Sequence, residues 1–150
     1  MHTRSIRVVL VNTLPKRLRL LLADDHPALL EQIARLLAGE FEIVRAVSNG
    51  LDLLDAAARL NPDVIVLDIT MPGLDGIEAA RRLRQAGSRA KLVFLTVHDD
   101  PDYVRAALEA GGAGYVVKAR LAKDLLPALH GVQAGQRFVS SAASPSHEVP

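Results

Sequence analysis

An α/β fold with a doubly wound parallel sheet is predicted for this 150-residue chain by three observations. Short aliphatic runs alternate with amphipathic helical stretches, the mark of βα units that build a parallel sheet covered by helices. The run Val64-Ile65-Val66-Leu67 is apolar at every position, as a strand buried on both faces requires. Aromatic residues make up only 3% of the chain and apolar residues 49%, so Val, Leu, Ile and Ala must build the core. Five units favour the flavodoxin-like (βα)5 arrangement, a five-stranded sheet of order 2-1-3-4-5. A chain of this length buries a full core within one domain.

The elements follow in order. Leu18–Ala23 is the first strand. Pro27 suits the first turn of a helix whose Leu29, Leu30, Ile33, Leu36 and Leu37 share one face, and Gly39 ends it. Phe41–Val47 is the second strand, and Asn49 caps a helix carrying Leu51, Leu54 and Ala58. Asp63–Leu67 is the third strand. Asp75 and Glu78 have the spacing of a capping box ahead of a helix with Ile77, Ala80 and Leu83 inward. Lys91–Leu95 is the fourth strand, Asp100-Pro101 opens a fourth helix, and Gly111-Gly112 stops it. Gly114–Val117 is the fifth strand. The last helix carries Leu125, Leu126, Leu129 and Val132, and Pro127 fits it only if the helix starts near Lys123, where an amide donor is not needed.

Charge divides the chain. Arg4, Arg7, Lys16, Arg17 and Arg19 lie in the first 19 residues, which hold no acid, so 13 of the 18 bases face all 17 acids in the remainder. The body is therefore mildly acidic and offers no evident nucleic-acid surface. Residues 1–16 form a basic N-terminal extension, 17–138 the folded domain, and 139–150, rich in Ser, Ala and Pro, a flexible C-terminal tail. Without cysteine the chain has no disulfide framework or thiolate metal site, which is compatible with a cytoplasmic location. No apolar run approaches the roughly 20 residues that span a bilayer, and the N-terminus lacks a signal-peptide cleavage site.

In the 2-1-3-4-5 order the crevice lies between the carboxyl ends of strands one and three. Strand one ends at Asp24-Asp25 and strand three at Asp68. Three close carboxylates repel one another, and a hard divalent cation with oxygen ligands, Mg²⁺, relieves that repulsion. Strand four ends in Thr96, a hydroxyl donor, and strand five in Lys118, a cation for carboxylate or phosphate. Any one of these groups alone is ordinary strand-end chemistry. Four strand ends supplying them together point to phosphoryl transfer onto Asp68. Zinc chemistry through His26 and His98 is disfavoured, since neither has a His-Glu-x-x-His spacing, and no glycine-rich phosphate loop follows strand one.

The segments Leu22-Ala23-Asp24-Asp25-His26-Pro27, Val66-Leu67-Asp68-Ile69-Thr70-Met71-Pro72-Gly73, Phe94-Leu95-Thr96-Val97-His98-Asp99-Asp100 and Gly114-Tyr115-Val116-Val117-Lys118 together resemble the receiver domain of two-component response regulators. The resemblance covers about residues 17–138 and is most like the subfamily that carries a C-terminal helix-turn-helix. It implies a signalling switch rather than an enzyme, catalysing only its own aspartyl phosphorylation and dephosphorylation. Asp68 would accept phosphate from a histidine kinase or phosphotransfer protein. Asp24, Asp25, Asp68 and the Thr70 carbonyl would hold Mg²⁺, Thr96 and Lys118 would bind the phosphoryl oxygens, and Tyr115 would follow Thr96 inward. The helix-four, strand-five and helix-five face would carry the signal, and phosphorylation would favour a homodimer.

The chain departs from the family at Val97, where a small residue is usual, and at Ala119, where many members have a proline in a cis bond. A cis bond before alanine costs about 2.5–4 kcal/mol, so a trans bond is expected. Direct DNA binding is not expected from these 150 residues, which leave no room for an output domain of ordinary size. A stand-alone receiver is favoured over the receiver portion of a truncated DNA-binding transcription regulator, and over a degenerate receiver that binds partners without phosphorylation.

Overall fold

The computed structural model describes residues 17–141 and residue 143. Six parallel strands lie in the order β2-β1-β3-β4-β5-β6. They are β1 (Leu18–Ala23), β2 (Phe41–Val47), β3 (Val64–Leu67), β4 (Lys91–Thr96), β5 (Gly112–Val117) and β6 (Phe138–Val139). Five helices connect them: α1 (Pro27–Leu37), α2 (Gly50–Leu60), α3 (Gly76–Gln85), α4 (Pro101–Glu109) and α5 (Leu121–Gln133). A single 3-10 turn, Lys118–Arg120, joins β5 to α5.

The period-two alternation of the strands divides the core in two. Leu21, Ile65, Leu67, Phe94 and Tyr115 point to one face and meet Leu53 and Ala56 of α2, Ala79 and Leu83 of α3, and Val104 and Ala107 of α4. Leu20, Leu22, Val64, Val66, Val93 and Val116 point to the other and meet Ile33 and Leu37 of α1 and Leu125, Leu129 and Val132 of α5. Covering both faces is what makes the central strands apolar at every position. Helix starts follow local chemistry. The side chains of Asn49, Asp75 and Asp100 accept from the amides of Asp52, Glu78 and Asp102, satisfying donors that the first turn leaves unpaired.

The structure differs from the sequence expectations at several points, among them the strand starts at Val64 and Gly112 and the β4 end at Thr96. Phe138–Val139 adds a sixth strand beside β5, across the expected boundary at 138/139, and Ser140 and Ala143 are buried. The expected tail residues 142 and 144–150, and the basic extension 1–16, lie outside the described residues. Helix α2 buries Leu53, Ala56 and Ala57, while Leu51 and Ala58 are exposed and Leu54 is half-buried. Asp52, Asp55 and Arg59 hold one exposed face of this helix, but the apolar arc opposite is wide enough to offer two stripes, and alanines allow the closer approach to the sheet. Helix α5 begins at Leu121, not near Lys123, which places Pro127 in its interior. Pro127 and Lys123 are both exposed, so the helix bond that proline cannot donate is lost on the side away from the core. Finally, Leu125, Leu129 and Val132 belong to the core, and Leu126 is the one half-buried leucine of α5. Among the described residues no helix is long and apolar enough to cross a membrane.

One close approach holds the loop after β3. The Gly76 amide donates to the Ile69 carbonyl at 2.7 Å, and a Cβ at Gly76 would collide with the Asp68 carbonyl oxygen. Helix α3 can start so near β3 only because residue 76 lacks a side chain. Gly76→Ala is expected to lower stability by about 2 kcal/mol, as overpacking against backbone does. Urea denaturation of that variant beside Gly39→Ala, where an added Cβ meets nothing within 4 Å, checks the effect, because Gly39→Ala should change little.

Candidate functional site

The backbone ladder runs one residue past two strand ends and carries two carboxylates with it. The Asp24 amide donates to the Val47 carbonyl and the Asp68 amide to the Ala23 carbonyl, each at 3.0 Å. Asp24 and Asp68 thus sit side by side at the carboxyl edge, 3% and 4% exposed. Strand β5, separated from β3 by β4, delivers Lys118 from the 3-10 turn at the same edge of the sheet. Its ammonium lies 2.9 Å from Asp68 Oδ2 and 2.8 Å from Asp24 Oδ2. Burial works to lower the Lys118 pKa, but its hydrogen bonds and charge pairing with Asp24 and Asp68 outweigh that, and the pKa ends above the ordinary lysine value.

Ligand atoms of Asp24, Asp25, His26 and Asp68 all lie within 4.8 Å of one another. Three carboxylates there face one ammonium, an excess of negative charge that a divalent cation would balance. The donor set fits such an ion in another respect: Asp24 Oδ2 is buried and, among the described residues, meets only the Lys118 ammonium at 2.8 Å, which leaves it acceptor capacity for a cation.

The remaining expected residues are arranged around this cluster. Thr96 is fully buried at the end of β4, and its Oγ1 accepts from the His98 amide at 3.4 Å. Asp68 Oδ1 accepts from the Thr70 amide at 3.4 Å. Tyr115 is fully buried on the face of α4, and its hydroxyl donates to the His98 carbonyl at 2.8 Å. Burial, followed by the charges of Asp99 and Asp68, pushes the Tyr115 pKa far above its usual value, so the phenol stays a donor. Val97 is 67% exposed, and the Lys118–Ala119 bond is trans.

Two histidines have roles that sequence reasoning missed. His26 Nδ1 lies 2.8 Å from Asp24 Oδ1 and 3.1 Å from Asp25 Oδ1, and its amide donates to Asp24 Oδ1 at 2.9 Å. The adjacency of Asp24, Asp25 and His26 was the available signal. His98 stands apart from the carboxylates. Its Nε2 pairs with Thr70 Oγ1 at 2.8 Å and its ring stacks on Tyr103 with centroids 4.1 Å apart, tying the β3–α3 loop to the β4–α4 loop and α4. No sequence spacing announces that contact across 28 residues.

Removing the ammonium leaves two buried carboxylates without a counter-charge. Lys118→Met is expected to cost about 3 kcal/mol at neutral pH, the low end for a broken buried pair because the ammonium is not fully buried. The folded-state pKa of Lys118 is raised, so the parent's advantage should hold up to the unfolded lysine value near pH ~10.4 and shrink only as pH rises through the folded-state pKa. Denaturation of both proteins across alkaline pH measures this.

The chain is similar to known proteins in sequence and fold. Residues 20–130 match the response regulator receiver domain. The nitrate/nitrite response regulator protein NarL of Escherichia coli (strain K12) is 37% identical over 128 residues, 84% of this chain and 59% of that protein. The transcriptional regulatory protein DegU of Brevibacillus brevis is 35% identical over 125 residues, 82% of this chain and 53% of that one. A crystal structure of a two-component response regulator of the LuxR family from Aurantimonas sp. SI85-9A1 superposes with a TM-score of 0.82 at 31% identity, covering 89% of this chain and 96% of that chain. The chain thus spans between half and three fifths of the length of these curated relatives. It belongs to the response regulator receiver domain family of two-component systems.

Proposed function

We propose that this receiver is a phosphoacceptor switch in which Asp68 takes a phosphoryl group from the phosphohistidine of a histidine kinase or phosphotransfer protein. Receiver domains are signalling switches rather than enzymes in the usual sense. The observation that carries the proposal is the Asp68 carboxylate, buried at a strand end, paired with Lys118 at 2.9 Å and grouped with Asp24 and Asp25. An Asp68 oxygen attacks phosphorus, the P–N bond breaks, and the imidazole leaves on the partner. Mg²⁺ held by Asp24, Asp25, Asp68 and the Thr70 carbonyl would neutralise phosphoryl charge during transfer.

The chain's own side chains do the rest. Lys118 exchanges its contact with Asp68 Oδ2 for a phosphoryl oxygen, and the new group adds charge where two carboxylates held the ammonium before. Thr96 Oγ1 turns to donate to another phosphoryl oxygen, which draws on the segment whose His98 amide it now accepts from. The His98 carbonyl is also the acceptor for Tyr115, so a shift of that segment reaches β5 directly. The α4–β5–α5 face then changes for a partner, a two-state element biased by one charged group.

The curated relatives support a second reading. NarL and DegU are regulators of which this chain spans only part, which suits the receiver portion of a longer DNA-binding transcription regulator. Association of two phosphorylated copies is compatible with either. A receiver that works without phosphorylation has little support, because Asp24, Asp25, Asp68, Thr96 and Lys118 are all present.

Intact mass after incubation with acetyl phosphate and Mg²⁺ tests the acceptor. The parent should gain one phosphoryl group and Asp68→Asn none; a gain by both would remove Asp68 from the role. Val97, beside Thr96 and branched at Cβ, is expected to slow access to the acceptor. Val97→Ala should therefore form and lose the phosphorylated state about two- to fivefold faster, less than 1 kcal/mol of barrier. Equal rates in the two proteins would rule that role out.

A further inference from the structure

The turn that delivers Lys118 is clamped at both flanks by one buried carboxylate oxygen. Asp124, on the first turns of α5, is 7% exposed, and its Oδ2 accepts from Arg120 Nε and from Ser140 Oγ, each at 2.8 Å. Arg120 is the last residue of the turn. Ser140, fully buried, in turn accepts from the Val117 amide at 3.1 Å, and Val117 immediately precedes Lys118. The same serine's amide donates to the Tyr115 carbonyl at 2.8 Å, extending the β5–β6 ladder. Burial works to raise the Asp124 pKa, but the hydrogen bonds from Arg120 and Ser140 lower it overall, so the clamp is charge-assisted. Ala119 gives the turn none of the fixed φ that a proline would supply.

We propose that Ser140 and Asp124 are positioning residues for Lys118, holding the Lys118–Arg120 turn between them so that its ammonium stays on Asp68. This rests on the phosphoacceptor role of Asp68 set out above. Both residues lie on the α5 face of the site, away from Asp25 and His26, and neither touches the carboxylates that would hold a cation. The geometry also makes the segment from Phe138 to Ser140 part of the site's support and not a passive exit from α5. Whatever moves β6 changes how Val117 is held, and with it Lys118.

The test uses the full chain with acetyl phosphate as donor, comparing the parent with Ser140→Ala and Asp124→Asn. Three quantities are measured: the maximal rate of Asp68 phosphorylation, the donor concentration for half that rate, and the Kd for Mg²⁺ by calorimetry. Each variant should lower the maximal rate about tenfold, an order below the 100-fold that a full 1 Å misplacement can cost. Mg²⁺ affinity should stay within about twofold, and the double variant should be no slower than the slower single one, as for residues acting as a unit. Maximal rates equal to the parent's would overturn the proposal. So would a rate and a Mg²⁺ affinity that fall together, the sign of general damage to the fold. A parent that takes no phosphoryl group while binding Mg²⁺ would remove the acceptor role itself, and the positioning role with it.

Discussion

The Lys118 ammonium stands 2.8 Å from Asp24 and 2.9 Å from Asp68, and the rest of the site depends on that bridge. Two buried carboxylates on adjacent strands are electrostatically unfavourable neighbours, and a third, Asp25, lies close by. One cation reduces the repulsion without cancelling it. The crevice therefore keeps an excess of negative charge around Asp24, Asp25 and Asp68. That imbalance is costly for folding and suits the proposed chemistry, in which a divalent ion and then an incoming phosphoryl group would be held there. A site built for stability alone would have paired each carboxylate.

The fold meets this cost by making the surroundings stiff. Helices cover both faces of the sheet, so β1, β3, β4 and β5 are each held by two layers of aliphatic contacts. The loop after β3 is closed by the Gly76 amide on Ile69, with no space for a side chain between α3 and the Asp68 carbonyl. On the other side, Asp124 and Ser140 hold the turn after β5. Between these fixed points lies the more exposed segment from Val97 to Asp100, joined to Thr70, Tyr103 and Tyr115 through His98. Supports on both sides of one more exposed segment suit the proposed switch, in which a carboxylate is held in place while its change of charge reaches that segment.

The fold class and most of the site were legible in the residues themselves. Continuous aliphatic runs could only be strands covered on both faces, and the capping residues Asn49, Asp75 and Asp100 marked helix starts that the structure keeps. Asp24, Asp68, Thr96 and Lys118 were identifiable because each follows or ends an apolar run, and parallel strands bring such ends to one edge. Less legible was anything that depended on choosing between equivalent patterns. Helix α2 has a wide apolar arc opposite Asp52, Asp55 and Arg59, so which part of that arc is buried followed from how closely alanines could approach the sheet. Pro127 argued for a late start to α5, yet the chain holds it inside the helix, on the exposed side away from the core.

By itself, then, the sequence determined the order of strands and helices, the two-faced burial of the sheet and the meeting of carboxylates, hydroxyl and ammonium at its carboxyl edge. Each of these follows from local periodicity and from the single handedness of βα connections. Only the tertiary structure decided that Lys118 bridges two carboxylates rather than one, that His26 and His98 divide between the acidic cluster and the Thr70 loop, and that Ser140 returns to bind Val117 and Asp124. Apart from His26, whose partners Asp24 and Asp25 are its neighbours in the chain, these are contacts between residues 16 to 94 positions apart, made by side chains whose partners are set by distance in space. A polar residue in a Ser-rich stretch looks the same whether it faces water or closes a buried network, and only packing tells the two apart.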